Sequence, residues 1–267
     1  MLKFISFGSG SSGNCYYIFT ENNGLLIDVG IGTRTLKKHF QAYGLSLNSV
    51  RQILITHDHA DHIKSVGSIS CKYKLPVFAT EKVHNGIVNN YCVSRKLQSE
   101  HVKHISGEVP LQIGDFQIIP FLVPHDSSEN VGYRIEYNNI VLCLMTDVGH
   151  ITEEMKVHIA QANYLIIEAN YDEEMLRSGS YPQKLKDRIS NGKGHLSNNE
   201  CGMALAQYAT SNLKHVWLCH LSEENNHPEL AKKSIEQTLR NHGIIAGVDF
   251  HLDVLKRKSP SGLFELT

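Results

Sequence analysis

Gln52-Ile53-Leu54-Ile55-Thr56-His57-Asp58-His59-Ala60-Asp61-His62 is the stretch on which the reading of this chain turns. Its first half is a short apolar run, the pattern of a strand buried in a sheet. Its second half has the form HxHxDH. With 16 histidines among 267 residues, chance supplies about 0.002 such matches per chain, so the cluster calls for a physical reason. In an extended segment leaving a strand, residues two apart point to one side, so His57 and His59 can grip one ion while Asp61 and His62 turn toward a neighbouring one. The spacing fits two adjacent metals.

Outward from this cluster, strand-like runs at 2–7 and 15–20 flank a Gly/Ser loop, and Asn22-Asn23-Gly24 turns the chain into Leu25-Leu26-Ile27-Asp28. A helical pattern covers 33–43. After His62 come a helix, a strand at 76–79 and a helix beginning near Glu81. The middle is strand-rich, at 111–113, 116–123, 132–137 and 140–145, with turns at Gly114 and Asn138-Asn139. A buried strand at 164–167, a helix at 198–209, a strand at 215–219 and a helix at 228–241 with Pro228 in its first turn complete the pattern. Strands in both halves with helices outside predict an α/β chain of two packed sheets flanked by helices, a four-layer αββα sandwich. No repeat, low-complexity tract or Pro/Gly-rich linker breaks it, so 1–267 reads as a single domain.

Composition narrows the classes. Hydrophobic residues at 41% and charged residues at 20% are those of an ordinary globular protein. A net charge of -1 and a pI near 7.0 give no global attraction to polyanions, so a nucleic-acid partner would be held by local basic patches. Cys15, Cys71, Cys92, Cys143, Cys201 and Cys219 form no CxxC pair and no disulfide-like spacing, which fits reduced thiols and a cytoplasmic location. The N-terminus has no apolar signal region, and no stretch approaches the ~20 apolar residues of a membrane span. No membrane partner is expected.

The HxHxDH cluster resembles the signature of the metallo-β-lactamase superfamily, and that family's other motifs follow in order at the ends of apolar strands. Asp28 closes Leu25-Leu26-Ile27, His125 follows Val123-Pro124, Asp147 follows Leu144-Met145-Thr146, and His220 closes Val216-Trp217-Leu218-Cys219. The resemblance implies that His57, His59 and His125 bind one divalent ion, that Asp61, His62 and His220 bind a second, that Asp147 bridges them, and that Asp28 is structural. His and carboxylate ligands accept zinc, manganese or iron. Two such ions lower the pKa of a shared water and stabilise charge on an attacked phosphoryl group.

Five further segments are similar to the single-domain WalJ (YycJ) branch of the superfamily: residues 7–14, 124–126, 146–149, 194–198 and 220–226. That branch implies metal-dependent phosphodiester hydrolysis, with 5′ to 3′ exonuclease action on DNA. A small-molecule thioester, ester or lactone hydrolase of the same fold is the alternative, and a non-catalytic metal-binding module a further one. The branch pattern departs at Tyr171, where a histidine is expected. Glu168-Ala169 and the later His195 match the order of a Glu-Ala motif and histidine in ribonuclease Z-like relatives. Asp61, His195 and Glu168 are therefore the catalytic candidates, with His195 as general acid for the departing alkoxide.

Gly8-Ser9-Gly10-Ser11-Ser12-Gly13 also satisfies GxGxxG, the dinucleotide fingerprint. That fingerprint needs a helix next, whereas Asn14-Cys15-Tyr16-Tyr17-Ile18-Phe19 is strand-like, so no nicotinamide cofactor is expected; nor is a flavin, which would need an appended domain for which 267 residues leave no room. The loop is read instead as an inter-strand turn in which Ser11 and Ser12 can touch substrate phosphate. Lys184, Lys186, Arg188 and Lys193 precede His195 and form the candidate contact to a phosphate backbone, with Lys256-Arg257-Lys258 a second basic run. Trp217 lies in an apolar strand and reads as core.

Overall fold

The computed structural model describes residues 1–267. By contact density the chain divides into two compact units, one made of Met1–Pro120, Ser127–Val131 and Lys256–Thr267, the other of Phe121–Asp126 and Gly132–Leu255.

In the first unit β1 (Leu2–Gly8), β2 (Cys15–Phe19) and β3 (Gly24–Ile27) form the antiparallel meander. Helix α1 (Thr33–Ala42) then crosses to β4 (Val50–Leu54), which runs parallel to β3. Inside the histidine cluster, α2 (Ala60–Ile63) begins with His59 as its N-cap, so the helix expected after His62 starts three residues earlier. Asp61 thereby sits in a helical first turn, where the macrodipole favours a carboxylate. Helix α3 (Val66–Tyr73), β5 (Val77–Ala79), α4 (Glu81–Asn89) and β6 (Val102–His104) extend the parallel part. The core pairs sheet with helix: Leu36 and Phe40, one turn apart on α1, are buried, and the Phe40 ring lies 4.6 Å from Phe7 and 4.9 Å from Tyr17.

The hairpin β7 (Leu111–Ile113) and β8 (Phe116–Leu122) leads into β9 (Val131–Tyr137) and β10 (Ile140–Met145). From β10 the pairing becomes parallel: α5 (Glu153–Gln161) leads to β11 (Tyr164–Glu168), and α6 (Glu173–Ser178), α7 (Gln183–Ser190) and α8 (Asn198–Tyr208) lead to β12 (His215–Cys219). Helix α9 (Pro228–Asn241) and β13 (His251–Val254) follow, and β14 (Leu263–Leu266) pairs antiparallel with β1. The strand orders are β14-β1-β2-β3-β4-β5-β6 and β13-β12-β11-β10-β9-β8-β7: two mixed seven-stranded sheets with helices on them. Ala231, Ile235 and Leu239 recur at helical spacing on α9 and are buried in one apolar cluster with Val216 and Leu218 of β12.

The strands read from sequence hold to within a residue or two. Those not anticipated, β6, β13 and β14, are three or four residues long and lie at or near sheet edges, too short for any period to register. Helix α5 leaves no clear pattern in the sequence for a related reason. Only Met155, His158 and Ile159 are buried on it, which leaves a thin apolar stripe. Residues 8–13 are followed by β2 and not by a helix, as the loop reading required. No helix is long and apolar enough to cross a membrane.

Candidate metal and catalytic site

Parallel pairing puts chemistry at strand ends. In the first unit the registers Ile27↔Leu54 and Leu26↔Ile53 place the residues after β3 and β4 side by side, so Asp28 emerges next to Thr56 and His57. In the second unit Leu144↔Ile166, Met145↔Ile167 and Glu168↔Cys219 do the same for Asp147, Glu168 and His220. Asp28, Asp147 and His220 adopt left-handed backbone, with φ of 58, 56 and 53°. For a non-glycine residue this costs roughly 1–2 kcal/mol and persists only where the surroundings fix it.

What fixes Asp28 is a fully buried network. Its Oδ1 accepts the Thr56 N–H at 2.9 Å, and its Oδ2 accepts the Thr56 hydroxyl at 2.9 Å and His62 Nδ1 at 2.7 Å. The Thr56 hydroxyl spends its one proton on Asp28, so at 3.0 Å it accepts from His57 Nδ1. Both histidines therefore keep Nε2 unprotonated, the state a metal ligand needs. His57 packs with its ring centroid 4.7 Å from His59 and 4.0 Å from His62.

Asn14, whose segment the sequence singled out without giving it a role, turns out to bind the same groups. The Gly10 N–H donates to Asn14 Oδ1 at 2.8 Å, which orients the amide and leaves Nδ2 facing His62 Nε2 at 2.8 Å and Asp61 Oδ2 at 3.2 Å. Its backbone N–H donates to the Asp61 carbonyl at 2.7 Å. Gly30 permits this approach, since a Cβ there would stand 1.6 Å from that carbonyl oxygen. The Gly/Ser loop is thus the outer wall of the HxHxDH segment. Ser11 and Ser12 are exposed on it.

In the second unit the anchor is Glu168, also fully buried. It accepts four hydrogen bonds: from the Val148 N–H at 2.7 Å, the Leu196 N–H at 3.1 Å, His195 Nδ1 at 2.9 Å and His220 Nδ1 at 3.0 Å. His125 Nδ1 donates to the Gly194 carbonyl at 2.9 Å. Around Asp147 Oδ1 stand His220 Nε2 at 3.6 Å and His125 Nε2 at 3.7 Å. These separations are too long for hydrogen bonds. They are close to the ~3.3 Å between ligands on a tetrahedral ion with bonds of 2.0–2.1 Å. The donor chemistry, the Nδ1 partners and this spacing fit a divalent metal.

Charge follows geometry. Burial disfavours ionised Glu168 and protonated His195, but each offsets the other's cost: the carboxylate lies below its ordinary pKa because of His195 and His220, and the imidazole lies above its own because of Glu168 and Asp147. His195 is placed by its backbone N–H on the Ile189 carbonyl at 2.8 Å, at the end of α7. Gly194 has to be glycine for this, because a Cβ there would meet the carbonyl oxygens of Arg188 and Ile189 at 2.2 and 2.3 Å. Leu196 is buried, and Ser197 with Glu200 closes a capping box on α8.

Other sequence candidates are distributed differently. Lys184, Lys186 and Arg188 lie on α7, a helix without a buried residue. Arg188 pairs with Asp126, and Lys186 donates to the Arg177 carbonyl at 2.7 Å, while Lys184 and Lys193 stand exposed. Tyr171 is 5% exposed, and its backbone bridges to Ser197. Trp217 is core, at 0% exposure.

The model of the beta-lactamase superfamily domain matches residues 23–221. An exodeoxyribonuclease YycJ of Bacillus anthracis is 36% identical to this chain over 272 residues, covering 97% of each. The chain belongs to the metallo-β-lactamase superfamily. An exodeoxyribonuclease WalJ of Streptococcus pneumoniae, 35% identical over 250 residues, covers 93% of this chain and 92% of its own length, which places the chain in the YycJ/WalJ branch. Among solved structures, the metallo-β-lactamase fold protein YhfI of Bacillus subtilis superposes with a TM-score of 0.74 at 17% identity, covering 99% of this chain and 100% of its own. The Zn(2+)-bound PqqB of Methylobacterium extorquens does so at 0.74 and 15%, with the same coverage. These two likenesses show the αββα fold of the superfamily.

Proposed function

We propose that the chain is a metal-dependent exodeoxyribonuclease that degrades DNA from the 5′ end, with both units acting as one domain over 1–267. The observation that carries the chemistry is the pair of buried carboxylate anchors, Asp28 holding His62 Nδ1 and Glu168 holding His220 Nδ1, so that Nε2 of each is left for a metal. DNA as substrate rests on the names of the YycJ and WalJ relatives, and 5′ polarity on the branch resemblance. In this reading His57, His59 and His125 would hold one ion and Asp61, His62 and His220 a second, with Asp147 contributing to both. The ions are zinc, manganese or iron. When bound, they supply Lewis-acid activation of water and of the phosphoryl group.

The remaining work falls to the chain's own side chains. Glu168 fixes the tautomer of His195 and favours its protonated form, so His195 holds a proton at Nε2 for the departing alkoxide, which leaves poorly without one. Ser11, Ser12, Lys184, Arg188, Lys186 and Lys193 contact substrate phosphate. The protein acts in the cytoplasm. The deciding experiment incubates metal-reconstituted protein with 5′- and 3′-end-labelled DNA and RNA beside thioester and lactone substrates. Release of mononucleotides from 5′-labelled DNA is the expected result. Intact nucleic acids with every metal, together with turnover of a thioester or lactone, would replace the nuclease with the small-molecule hydrolase.

A further inference from the structure

Residues 29–99 are far more basic than the chain as a whole. They carry ten lysines and arginines against Asp58, Asp61 and Glu81, within a chain of net charge -1. Four of those cations come together in space. Arg34 and Lys37 on α1, Lys72 on α3 and Arg95 in the loop after α4 line one hollow of 510 Å³ with Thr33 and Ser68, and no carboxylate lines it.

The hollow is built, not a chance meeting of flexible side chains. The Arg95 carbonyl oxygen rests against Gly67, where a Cβ would lie 1.6 Å from it. Cys71 Sγ approaches the Lys96 carbonyl at 3.6 Å, and Lys96 Nζ donates to the Asn90 carbonyl at 3.0 Å, which ties the loop down on α3. Thr33 opens α1, whose N-cap Gly32 offers no side-chain cap and whose first turn holds no acidic residue, so the first N–H groups of this helix add positive potential on the same side. The same loop carries Tyr91, 93% exposed, an aromatic face in open solvent four residues before Arg95.

A concave, carboxylate-free cluster of four cations with an exposed aromatic nearby is the combination by which proteins hold single-stranded nucleic acid, phosphates on the cations and a base on the ring. It is separate from the α7 lysines. Its link to the metal-ligand segment is short, since the Val29 N–H donates to the His62 carbonyl at 2.7 Å, four residues before Thr33. We propose that this hollow is a phosphate-backbone subsite that holds the substrate strand several nucleotides away from the scissile bond, with Tyr91 stacking on one base. The inference rests on the nuclease reading and deepens it.

The test compares long and short substrates on the metal-loaded enzyme. Arg34→Glu, Lys37→Glu, Lys72→Glu and Arg95→Glu are combined in one variant; all four side chains are exposed, and circular dichroism checks the fold. With a 30-nucleotide single strand, KM should rise at least tenfold with kcat nearly unchanged, and the slope of log KM against log salt should fall by roughly 3, from about 0.7 per phosphate contact on a single strand. Tyr91→Ala should raise KM about tenfold and Tyr91→Phe should not. Bis-nitrophenyl phosphate, too small to reach the hollow, should be hydrolysed at the wild-type rate. A folded quadruple variant with unchanged KM and salt slope on the long strand overturns the subsite, as does equal loss on both substrates. Wild-type protein that leaves every oligonucleotide intact overturns the nuclease reading instead, and the subsite with it.

Discussion

Asp28 and Glu168 solve one problem in the two units, and they do it with different reach. Each is a fully buried carboxylate at the end of a parallel strand, each takes backbone N–H and imidazole donors, and each fixes which ring nitrogen stays free. Asp28 serves partners within one short segment, Thr56 and His62. Glu168 gathers Val148, His195, Leu196 and His220, which lie far apart in sequence. A local motif needs only one anchor on the neighbouring strand, whereas a dispersed set needs the parallel register of three strands to bring it together. The second unit should therefore be the more fragile of the two when its anchor is removed.

The largest effect is expected from Glu168→Ala. It leaves two imidazoles and two backbone N–H groups without their buried acceptor, which should cost about 3–5 kcal/mol in denaturant unfolding and remove activity. Asp28→Ala removes an acceptor from three donors and should cost less, roughly 2–3 kcal/mol. Equal losses, or a larger one at Asp28, would break the comparison.

His195→Ala sharpens it by separating chemistry from folding. This variant should stay folded, less destabilised than Glu168→Ala, and keep its metal content, yet lose about 10² to 10⁴ in turnover on DNA. A nitrophenyl ester, whose leaving group needs no proton, should recover most of the loss. Equal impairment on both substrates, or loss of metal, would remove His195 from the acid role.

A smaller effect concerns the stability of the second unit outside the site. His158 stacks on Phe121 with centroids 4.1 Å apart, and burial, helped by the Arg134 charge, pulls its pKa from 6.5 down to about 4. Between those values the unfolded chain binds a proton that the folded protein refuses, so stability is full above pH 6.5, falls as pH drops toward 4 and falls no further below it. Its share is on the order of 2–3 kcal/mol. In urea unfolding at pH 7 and pH 4.5, His158→Phe should lose less stability than the wild type by about that amount; parallel losses would rule this out. The smallest effect is that of Lys184→Glu with Lys193→Glu, expected to weaken DNA binding a few-fold and to leave metal content alone. A change in bound metal would refute it.

The same contrast explains what the sequence made legible. The ligand cluster at 57–62 could be read because its spacing is local, and Asp147 and His220 because each ends an apolar strand. The pairing of Glu168 with His195 was legible only through the resemblance. Asn14 and Thr56 carried no signal beyond their neighbours, since an amide or hydroxyl aimed at an imidazole leaves no periodicity in the chain. The cationic hollow is not legible in the sequence because its members are spaced across 34–95 and meet only where α1, α3 and the loop after α4 line one hollow. The runs at 184–193 and 256–258 drew attention by being contiguous, yet in the first of them Arg188 and Lys186 already have partners.

The central proposal is that the chain binds two divalent ions, with Asp147 shared. Elemental analysis of metal-reconstituted protein, titrated separately with zinc, manganese and iron and followed alongside nucleotide release from 5′-labelled DNA, tests it most directly. Two ions per chain, with activity appearing as the second site fills and both lost in Asp147→Ala, is the expected result. Saturation at one ion per chain with all three metals would contradict it.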